Sequence, residues 1–374
     1  GHFIWTTFSE DQVDLDYRDP DLLIAILDVL LFYILQGASM LRLDAIGFMW
    51  KEEGTSCLHL PQTHALIQLF RFVLTEIKPD VKLITETNVP HIENISYFGD
   101  GFNEAHLVYN FTLPPLLAYS LLSQSVRKFA HWAKSLAVPS NEVCFFNFLA
   151  SHDGVGVRPV QGILSRHELQ LLIDAADANG GRVNYKSNAE GGKDPYEINC
   201  NYFSLLKGSG CEHREGLKRM ILAHAVLLAF PGVPAIYIHS LLGSENDLEG
   251  MKKAGYNRAI NRAKIDLQSL ASDLEDPFSN RKIIYSRIRD LIEVKQGIAA
   301  FDPYANFQIQ LVNEQVLLLQ RGNREVSCFF NFGVENQTLK LDRGGMDLIS
   351  KFPYEKDDEL EILGYDFLWL GHFS

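Results

Sequence analysis

Short apolar segments alternate with longer helical segments along the first two thirds of the chain, and this rhythm limits the folds open to it. The apolar segments are rich in branched and aromatic residues and occupy positions 38–47, 81–88, 104–111, 143–154 and 233–240. Intervening segments such as 63–77 and 216–230 are apolar over a wide face, as the outer helices of a barrel are. This alternation predicts an α/β fold of βα units around a parallel sheet.

A different pattern begins near residue 300, where apolar and polar residues alternate over short distances. The apolar runs are joined by "NE" and "RGNRE", which are typical of turns. Such alternation indicates antiparallel strands. We therefore expect an α/β domain over residues 1–297 and a small antiparallel, β-sandwich-like domain over residues 298–374.

A long polar stretch, residues 155–216, lies between the fourth and fifth predicted strands. Its content of Gly, Asn and Asp predicts irregular backbone, and loops of this length in compact domains are usually functional or disordered. We interpret it as an active-site lid, with an unrelated surface excursion as the alternative.

Composition narrows the classes of partner. The formal net charge is −13, and Lys and Arg do not cluster with aromatic residues, which argues against binding to nucleic acid. A small neutral or polyhydroxylated substrate is compatible with this charge. The five cysteines are widely spaced without a CxxC pair, which predicts neither a disulfide framework nor a zinc site and fits a reducing cytoplasm.

One apolar run, residues 22–35, invites comparison with a membrane span. It is shorter than the roughly 18 residues that a span needs, and Asp28 interrupts it. We expect a buried helix there and no membrane association. The first residues, "GHFIWTTFSEDQVD", do not resemble a signal peptide.

Three of the predicted strands end on an acidic residue: Asp44, Glu86 and Asp153. The carboxyl ends of the parallel strands of a barrel meet at one face, so we expect these side chains to converge on one pocket. Taken singly, each also has a structural explanation, as an ion-pair partner of Arg42 or His152 or as a helix-capping acid. Three carboxylates together would raise one another's pKa values and cost desolvation energy, which favours a catalytic role.

Glycosyl transfer through an oxocarbenium-like transition state is the chemistry that suits such a trio. One carboxylate attacks the anomeric carbon, a second carboxyl group protonates the leaving oxygen, and a third anion stabilises the developing charge. A retaining mechanism needs the first two groups about 5–5.5 Å apart, which adjacent barrel strands can provide.

The motifs themselves resemble a known family. "RLDAIGF", "ITETNVPH", "SHDGVG", "GVPAIYIHSLLG" and "NRAINR", in this order, resemble the α-amylase superfamily, glycoside hydrolase family 13, and within it the sucrose phosphorylase-like subfamily. "EDQVDLDYRDP", "GTSCLHLPQTH" and "YKSN" are similar to the branch that contains glucosylglycerate and sucrose 6′-phosphate phosphorylases. The resemblance implies a (β/α)8 TIM barrel of which this chain holds about strand 4 to strand 8, with residues 155–216 inserted after the seventh strand.

The same resemblance assigns the catalytic roles. It implies that Asp44 is the nucleophile, Glu86 the general acid/base and Asp153 the stabiliser of the transition state. Arg42 would orient Asp44 and keep it ionised.

Substrate contacts also follow from the resemblance. It implies that His152 binds sugar hydroxyls and that Arg258 lies near the glucose subsite; a structural histidine and a solvated arginine are the alternatives. Asp194, Tyr196 and Glu197, in "DPYEIN", resemble the family's acceptor loop and are candidates to contact phosphate or the leaving group.

The activity implied is that of a retaining glucoside phosphorylase, which cleaves an α-glucoside with inorganic phosphate to give α-glucose 1-phosphate. The donor could be sucrose-, sucrose 6′-phosphate- or glucosylglycerate-like. Hydrogen bonds to phosphate could be donated by Arg158, Tyr185, Lys186 and Arg262. A hydrolase or transglucosidase on the same scaffold and an inactive remnant are the alternatives, because motif spacing does not separate phosphate from water as the acceptor.

No cofactor is expected. The sequence has no clustered oxygen ligands for a metal and no Gly-rich nucleotide loop after the first predicted strand, so phosphate enters only as a co-substrate.

By the resemblance, three βα units, a β-rich inserted domain and a motif with Asp, Asn and His would precede residue 1. Five strands do not close a barrel and leave open edges. We therefore expect a partial barrel with low stability or self-association.

Overall fold

A computed structural model describes residues 3–187, 191–210 and 213–372. The chain forms two compact units. The first comprises Gly1–Tyr109 and Ala137–Phe146, and the second comprises Asn110–Leu136 and Asn147–Ser374.

The first unit is built on parallel strands connected by helices. In chain order its elements are α1 (Pro20–Leu35), β1 (Met40–Leu43), α2 (Pro61–Ile77), β2 (Lys82–Thr85), α3 (His91–Ile95), β3 (Leu107–Tyr109) and the start of β4 (Cys144–Phe148). Strands β1, β2, β3 and β4 pair in that order and run parallel. The predicted strands are therefore confirmed, and their carboxyl ends lie at one edge of this sheet.

Helix α1 shows how the local sequence starts a helix and what it buries. Asp19 caps its first turn by accepting the backbone N–H of Asp21, and Pro20 occupies the first turn, where proline is tolerated. The helix is confirmed, but its expected burial is wrong: Leu30 is its one buried residue, and Leu35 is 82% exposed. A helix that is apolar on every side buries only the side that packs against the neighbouring layer of the fold, and its other sides stay exposed.

The second unit holds most of the helices. They are α4 (Leu113–Ser123), α5 (Arg127–Ser135), α6 (Arg166–Ala178), α7 (Tyr202–Lys207), α8 (His213–Ala229), α9 (Ile238–Leu241), α10 (Leu248–Ala254), α11 (Leu267–Glu275) and α12 (Asn280–Gln296). The fifth predicted strand is also present in this unit, as Val233–Ala235. None of the helices in the described ranges is long and apolar enough to cross a membrane.

The described part of residues 155–216 is more regular than its composition suggests, and residues 188–190 and 211–212 of this predicted lid lie outside the described residues. Strands β5 (Val155–Gly156), β6 (Arg182–Ser187) and β7 (Lys193–Asn199) form a three-stranded antiparallel sheet in the order β5, β7, β6, and helix α6 lies between β5 and β6 in the sequence. The expectation of irregular backbone is wrong here, because the consecutive strands β6 and β7 pair with each other and β5 pairs with β7, and this pairing overrides local propensity. A lid function for this segment stays a prediction.

Counting Val233–Ala235 as β8, the remaining strands are β9 (Phe307–Leu311), β10 (Val316–Arg321), β11 (Val326–Asn331), β12 (Gln337–Lys340), β13 (Gly345–Asp347), β14 (Pro353–Tyr354), β15 (Glu359–Ile362) and β16 (Phe367–Gly371). Six of them form a sheet in the order β14, β13, β16, β11, β10, β9, while β12 pairs with β15. The paired strands run antiparallel, which confirms the antiparallel prediction for this part of the chain. The domain boundary at residue 298 stays a prediction.

Candidate active site

The first group of site residues lies at the carboxyl ends of β1, β2 and β3. Arg42 and Asp44 are two residues apart, a spacing that puts extended side chains on the same side of a strand. The Nη1 atom of Arg42 lies 2.5 Å from Oδ1 of Asp44, and its Nη2 lies 3.7 Å from Oε2 of Glu86. One guanidinium therefore contacts two of the predicted catalytic carboxylates.

Tyr109 completes this group from the end of β3. Its hydroxyl accepts a hydrogen bond from Nε of Arg42 at 3.0 Å, and the guanidinium lies 5.4 Å from its ring centre. Burial acts to lower the pKa of Arg42, but Tyr109, Glu86 and Asp44 raise it above its ordinary value. Burial also raises the pKa of Tyr109. We call Arg42, Asp44, Glu86 and Tyr109 the Arg42 cluster.

The backbone after β1 turns sharply toward Glu86. Ala45 has a φ of 47°, in the left-handed region that non-glycine residues rarely adopt, and its N–H donates to Oε2 of Glu86 at 3.0 Å. The N–H of Ile46 donates to the carbonyl of Glu86. The two carboxylates differ in exposure, since the side chain of Asp44 is 70% exposed and that of Glu86 is 14% exposed.

The second group surrounds Asp153, five residues after the end of β4. Its Oδ1 forms an ion pair with Nη1 of Arg258 at 2.8 Å and accepts a hydrogen bond from Nη2 of Arg262 at 3.1 Å. Both arginines belong to the "NRAINR" motif, which forms a short 3₁₀ helix over Asn257–Asn261. Two guanidinium groups therefore hold one carboxylate.

Glu197 holds Arg258 from the other side. Its Oε1 and Oε2 accept from Nε and Nη2 of Arg258 at 3.0 and 2.7 Å, the paired geometry that carboxylates and guanidinium groups favour. Burial acts to lower the pKa of Arg258, while Glu197, Asp153 and Tyr196 raise it above its ordinary value.

The backbone around Asp153 is held as well. The side-chain amide of Asn261 donates to the carbonyls of Ser151 and Asp153 at 3.1 and 2.8 Å. Nε of Arg262 donates to the carbonyl of His152 at 2.6 Å. We call Asp153, Glu197, Arg258, Asn261 and Arg262 the Asp153 cluster.

His152 lies beside this cluster, with Nε2 3.8 Å from Oδ1 of Asp153. Its side chain is largely exposed, so its ring is available to a ligand.

The other two predicted acceptor residues lie on β7. The carbonyl of Tyr196 accepts the N–H of Val157, while Asp194 lines a cavity of about 380 Å³ together with Arg166 and Lys193. Asp194 pairs in register with Lys186 of β6, a predicted hydrogen-bond donor to phosphate. Contacts of these residues with an acceptor stay predictions.

The predicted residues thus fall into the two units. Asp44, Glu86 and Arg42 meet in the first, and Asp153 and Arg258 meet in the second together with Glu197. The convergence of all three acids on one pocket stays a prediction.

Sequence reasoning missed two members of these clusters. Tyr109 ends β3 in the same way that the acids end their strands, so its position was a usable signal. Asn261 carries no comparable signal, because its contacts reach more than a hundred residues back along the chain. Among the described residues, no three His, Cys, Asp or Glu side chains are grouped as metal ligands would be.

Comparison with known proteins identifies the scaffold. Residues 1–162 match the family model described as "Alpha amylase, catalytic domain". The chain carries an α-amylase family domain. This finding confirms the resemblance seen in the motifs.

Two named proteins are similar to nearly the whole chain. The chain is 46% identical over 365 residues to "Glucosylglycerate phosphorylase" from Escherichia coli (strain K12). This alignment covers 96% of the chain and 64% of the relative. A protein of the same name from Spirochaeta thermophila is 41% identical and covers 98% of the chain and 66% of the relative. The chain therefore spans less than two thirds of the length of these relatives.

A solved structure supports the fold. The sucrose 6F-phosphate phosphorylase from Thermoanaerobacter thermosaccharolyticum matches with a TM-score of 0.75 at 22% identity, over 96% of this chain and 68% of that chain. At this identity the match shows an α-amylase-type fold with parallel and antiparallel sheets.

Proposed function

We propose that the protein containing this chain is a retaining glucoside phosphorylase. It would transfer the glucosyl group of an α-glucoside to inorganic phosphate and release α-glucose 1-phosphate. A glucosylglycerate-like donor is preferred over a sucrose-like or sucrose 6′-phosphate-like donor. The observation that carries the proposal is the 46% identity, over 96% of the chain, to a protein named glucosylglycerate phosphorylase. The finer fold assignment, strands 4 to 8 of an eight-stranded barrel, belongs to the same proposal.

The Arg42 cluster supports the covalent steps. In the first, an oxygen of Asp44 bonds to the anomeric carbon, the bond from that carbon to the leaving oxygen breaks, and Glu86 gives its proton to that oxygen. In the second, a phosphate oxygen bonds to the anomeric carbon, the ester to Asp44 breaks, and Glu86 takes a proton from the phosphate. Two inversions give net retention.

The shared guanidinium of Arg42 is what makes this pairing chemically reasonable. It contacts Asp44 and Glu86 at 2.5 and 3.7 Å, so both carboxylates lie on one side of the strand ends. The greater exposure of Asp44 suits a nucleophile that must reach a sugar ring.

Asp153 would stabilise the positive charge that develops on the sugar, and His152 would bind sugar hydroxyls. An ion pair with two arginines keeps the carboxylate of Asp153 fixed in place, which favours an electrostatic role over attack. The mechanism uses only side chains and phosphate, so it calls for no cofactor. Self-association and a cytoplasmic location stay predictions.

The test is a donor screen on the complete gene product with and without inorganic phosphate. We expect α-glucose 1-phosphate from glucosylglycerate only when phosphate is present. Free glucose at an equal rate without phosphate would indicate a hydrolase instead. No turnover of any α-glucoside would indicate an inactive remnant.

A further inference from the structure

Glu197 is the most deeply buried carboxylate of the Asp153 cluster. Its side chain is 2% exposed, compared with 28% for Asp153. Both of its oxygens accept from Arg258, and Oε1 also faces the amide of Asn184 at 3.4 Å. A buried charge needs such partners, because it has lost its hydration.

Arg258 uses its remaining nitrogen for Asp153. Nε and Nη2 bind Glu197, and Nη1 lies 2.8 Å from Oδ1 of Asp153. A guanidinium is planar and rigid, so fixing one edge of it fixes the direction of the third nitrogen. The orientation of Arg258 toward Asp153 therefore depends on Glu197.

The backbone next to Asp153 packs directly on Glu197. Gly156 of β5 is in register with Glu197 of β7. At Gly154, an added Cβ would lie 2.6 Å from Cγ of Glu197 and 2.6 Å from the carbonyl oxygen of Ile198. Only a residue without a side chain fits at position 154, between the backbone that follows Asp153 and strand β7.

We infer that Glu197 is a positioning residue, which acts through Arg258 to hold the carboxylate of Asp153 in its working place. The inference rests on the proposed function, in which Asp153 stabilises the transition state. It differs from the sequence-based prediction, in which Glu197 itself contacts phosphate or the leaving group.

The two roles differ in kinetics. A positioning residue serves every donor and acceptor alike, so Glu197→Gln lowers kcat by a similar factor, roughly 10–100-fold, for all donors, while KM for phosphate changes less than about twofold. Because it acts through Arg258, the double variant Glu197→Gln/Arg258→Lys is no slower than the slower single variant. Loss confined to KM for phosphate or to one donor, or additive losses in the double variant, would overturn the inference.

A matched control separates stability from catalysis. Glu168 is another carboxylate in an ion pair, with Lys128 at 2.9 Å, and it accepts the N–H of Ser165; unlike Glu197, it is only partly buried. We expect Glu168→Gln to leave kcat unchanged. If Glu197→Gln does not fold, Gly154→Ala is the second variant, because its added Cβ displaces Glu197 without changing the charge. We expect this variant to show the same uniform fall in kcat for all donors. A Gly154→Ala variant that keeps the wild-type kcat would contradict the inference.

A crystal structure of Glu197→Gln keeps this inference separate from the proposed function. If the wild-type protein makes no α-glucose 1-phosphate, the proposed function fails. The positioning contact is then judged by the distance from Nη1 of Arg258 to Oδ1 of Asp153. We expect it to lengthen beyond hydrogen-bonding range, and an unchanged distance would overturn the inference.

Discussion

The Arg42 cluster and the Asp153 cluster join guanidinium groups to their proposed catalytic carboxylates in different ways. In the first, one guanidinium contacts two carboxylates, Asp44 and Glu86. In the second, two guanidinium groups contact the one carboxylate of Asp153. The proposed nucleophile and the proposed stabiliser also differ in exposure, since the side chain of Asp44 is 70% exposed and that of Asp153 is 28% exposed.

The difference suggests separate tasks for the two clusters. A carboxylate that is exposed and held by one partner can form a bond with a ligand. A carboxylate held by two rigid partners acts best as a fixed charge, because it needs no reorganisation when charge develops nearby. This contrast supports the proposed nucleophile and the proposed stabiliser independently of motif resemblance.

Removing the nucleophile should have the largest effect. Asp44→Asn keeps the size of the side chain but cannot form the glucosyl ester, so we expect phosphate-dependent release of α-glucose 1-phosphate to fall by roughly 10⁴-fold or more. Asp16→Asn is the matched control, since Asp16 is also two residues from an arginine and pairs with Arg18 at 2.8 Å. Substantial activity in Asp44→Asn, or equal loss in the control, would contradict the assignment.

Replacing one arginine by lysine in each cluster should show how strongly kcat depends on each cluster. Arg42→Lys removes contacts to both Asp44 and Glu86, so we expect kcat to fall by roughly 10²–10³-fold. Arg262→Lys leaves Arg258 on Asp153, so the expected loss is roughly tenfold. Steady-state kinetics of the two variants test the ranking, and a larger loss in Arg262→Lys would reverse our interpretation of the two clusters.

Acid should weaken the strand pair that carries Glu86 and Tyr109. Nδ1 of His106 accepts the backbone N–H of Leu83 at 3.0 Å, and protonation would remove this acceptor. Burial, helped by Arg71 and Lys82, lowers the pKa of His106 from 6.5 to about 3. Between these values the unfolded chain binds a proton that the folded chain does not.

The free energy of unfolding should therefore fall continuously as the pH drops from about 6.5 toward 3. At a pH near 4.5 the loss should amount to about 2–3 kcal/mol. Urea unfolding at neutral and acidic pH measures this effect. His106→Asn retains an acceptor without the titrating ring, and its stability should depend less on pH. An equal dependence in wild type and variant would exclude His106 as the cause.

A small effect on kcat, similar to that of Arg262→Lys, is expected from Tyr109→Phe. This variant removes the hydroxyl that accepts from Arg42, and a hydrogen bond to a charged group contributes about 1.5 kcal/mol or more, so kcat should fall roughly tenfold. Tyr119→Phe is the control, because Tyr119 donates to Glu168 outside both clusters. Equal kinetics for Tyr109→Phe and wild type would show that Arg42 does not need this partner.

Much of the fold was predictable because its signals are local. The parallel strands appear as short apolar runs, and Asp44 and Glu86 stand where such runs end. Tyr109 stands at an equivalent place and could have been chosen by the same rule.

The Asp153 cluster was less predictable because its contacts are distant in sequence. Arg258 and Asp153 are 105 residues apart, and the pairing of Arg258 with Glu197 depends on β7, which lies in the segment expected to be irregular. The Gly- and Asn-rich composition of that segment favours turns, whereas its strands are stabilised by pairing with one another. Composition alone therefore concealed the element that positions Glu197.

The most direct test of the central claim is a crystal structure of the Glu86→Gln variant of the complete gene product after reaction with α-glucosyl fluoride. Fluoride leaves without a proton donor, and the missing base slows the second step, so the glucosyl ester should accumulate. We predict glucose bonded to Asp44, with Asp153 within hydrogen-bonding distance of the same sugar ring. Glucose bonded elsewhere, or a sugar ring that Asp153 does not contact, would contradict the account.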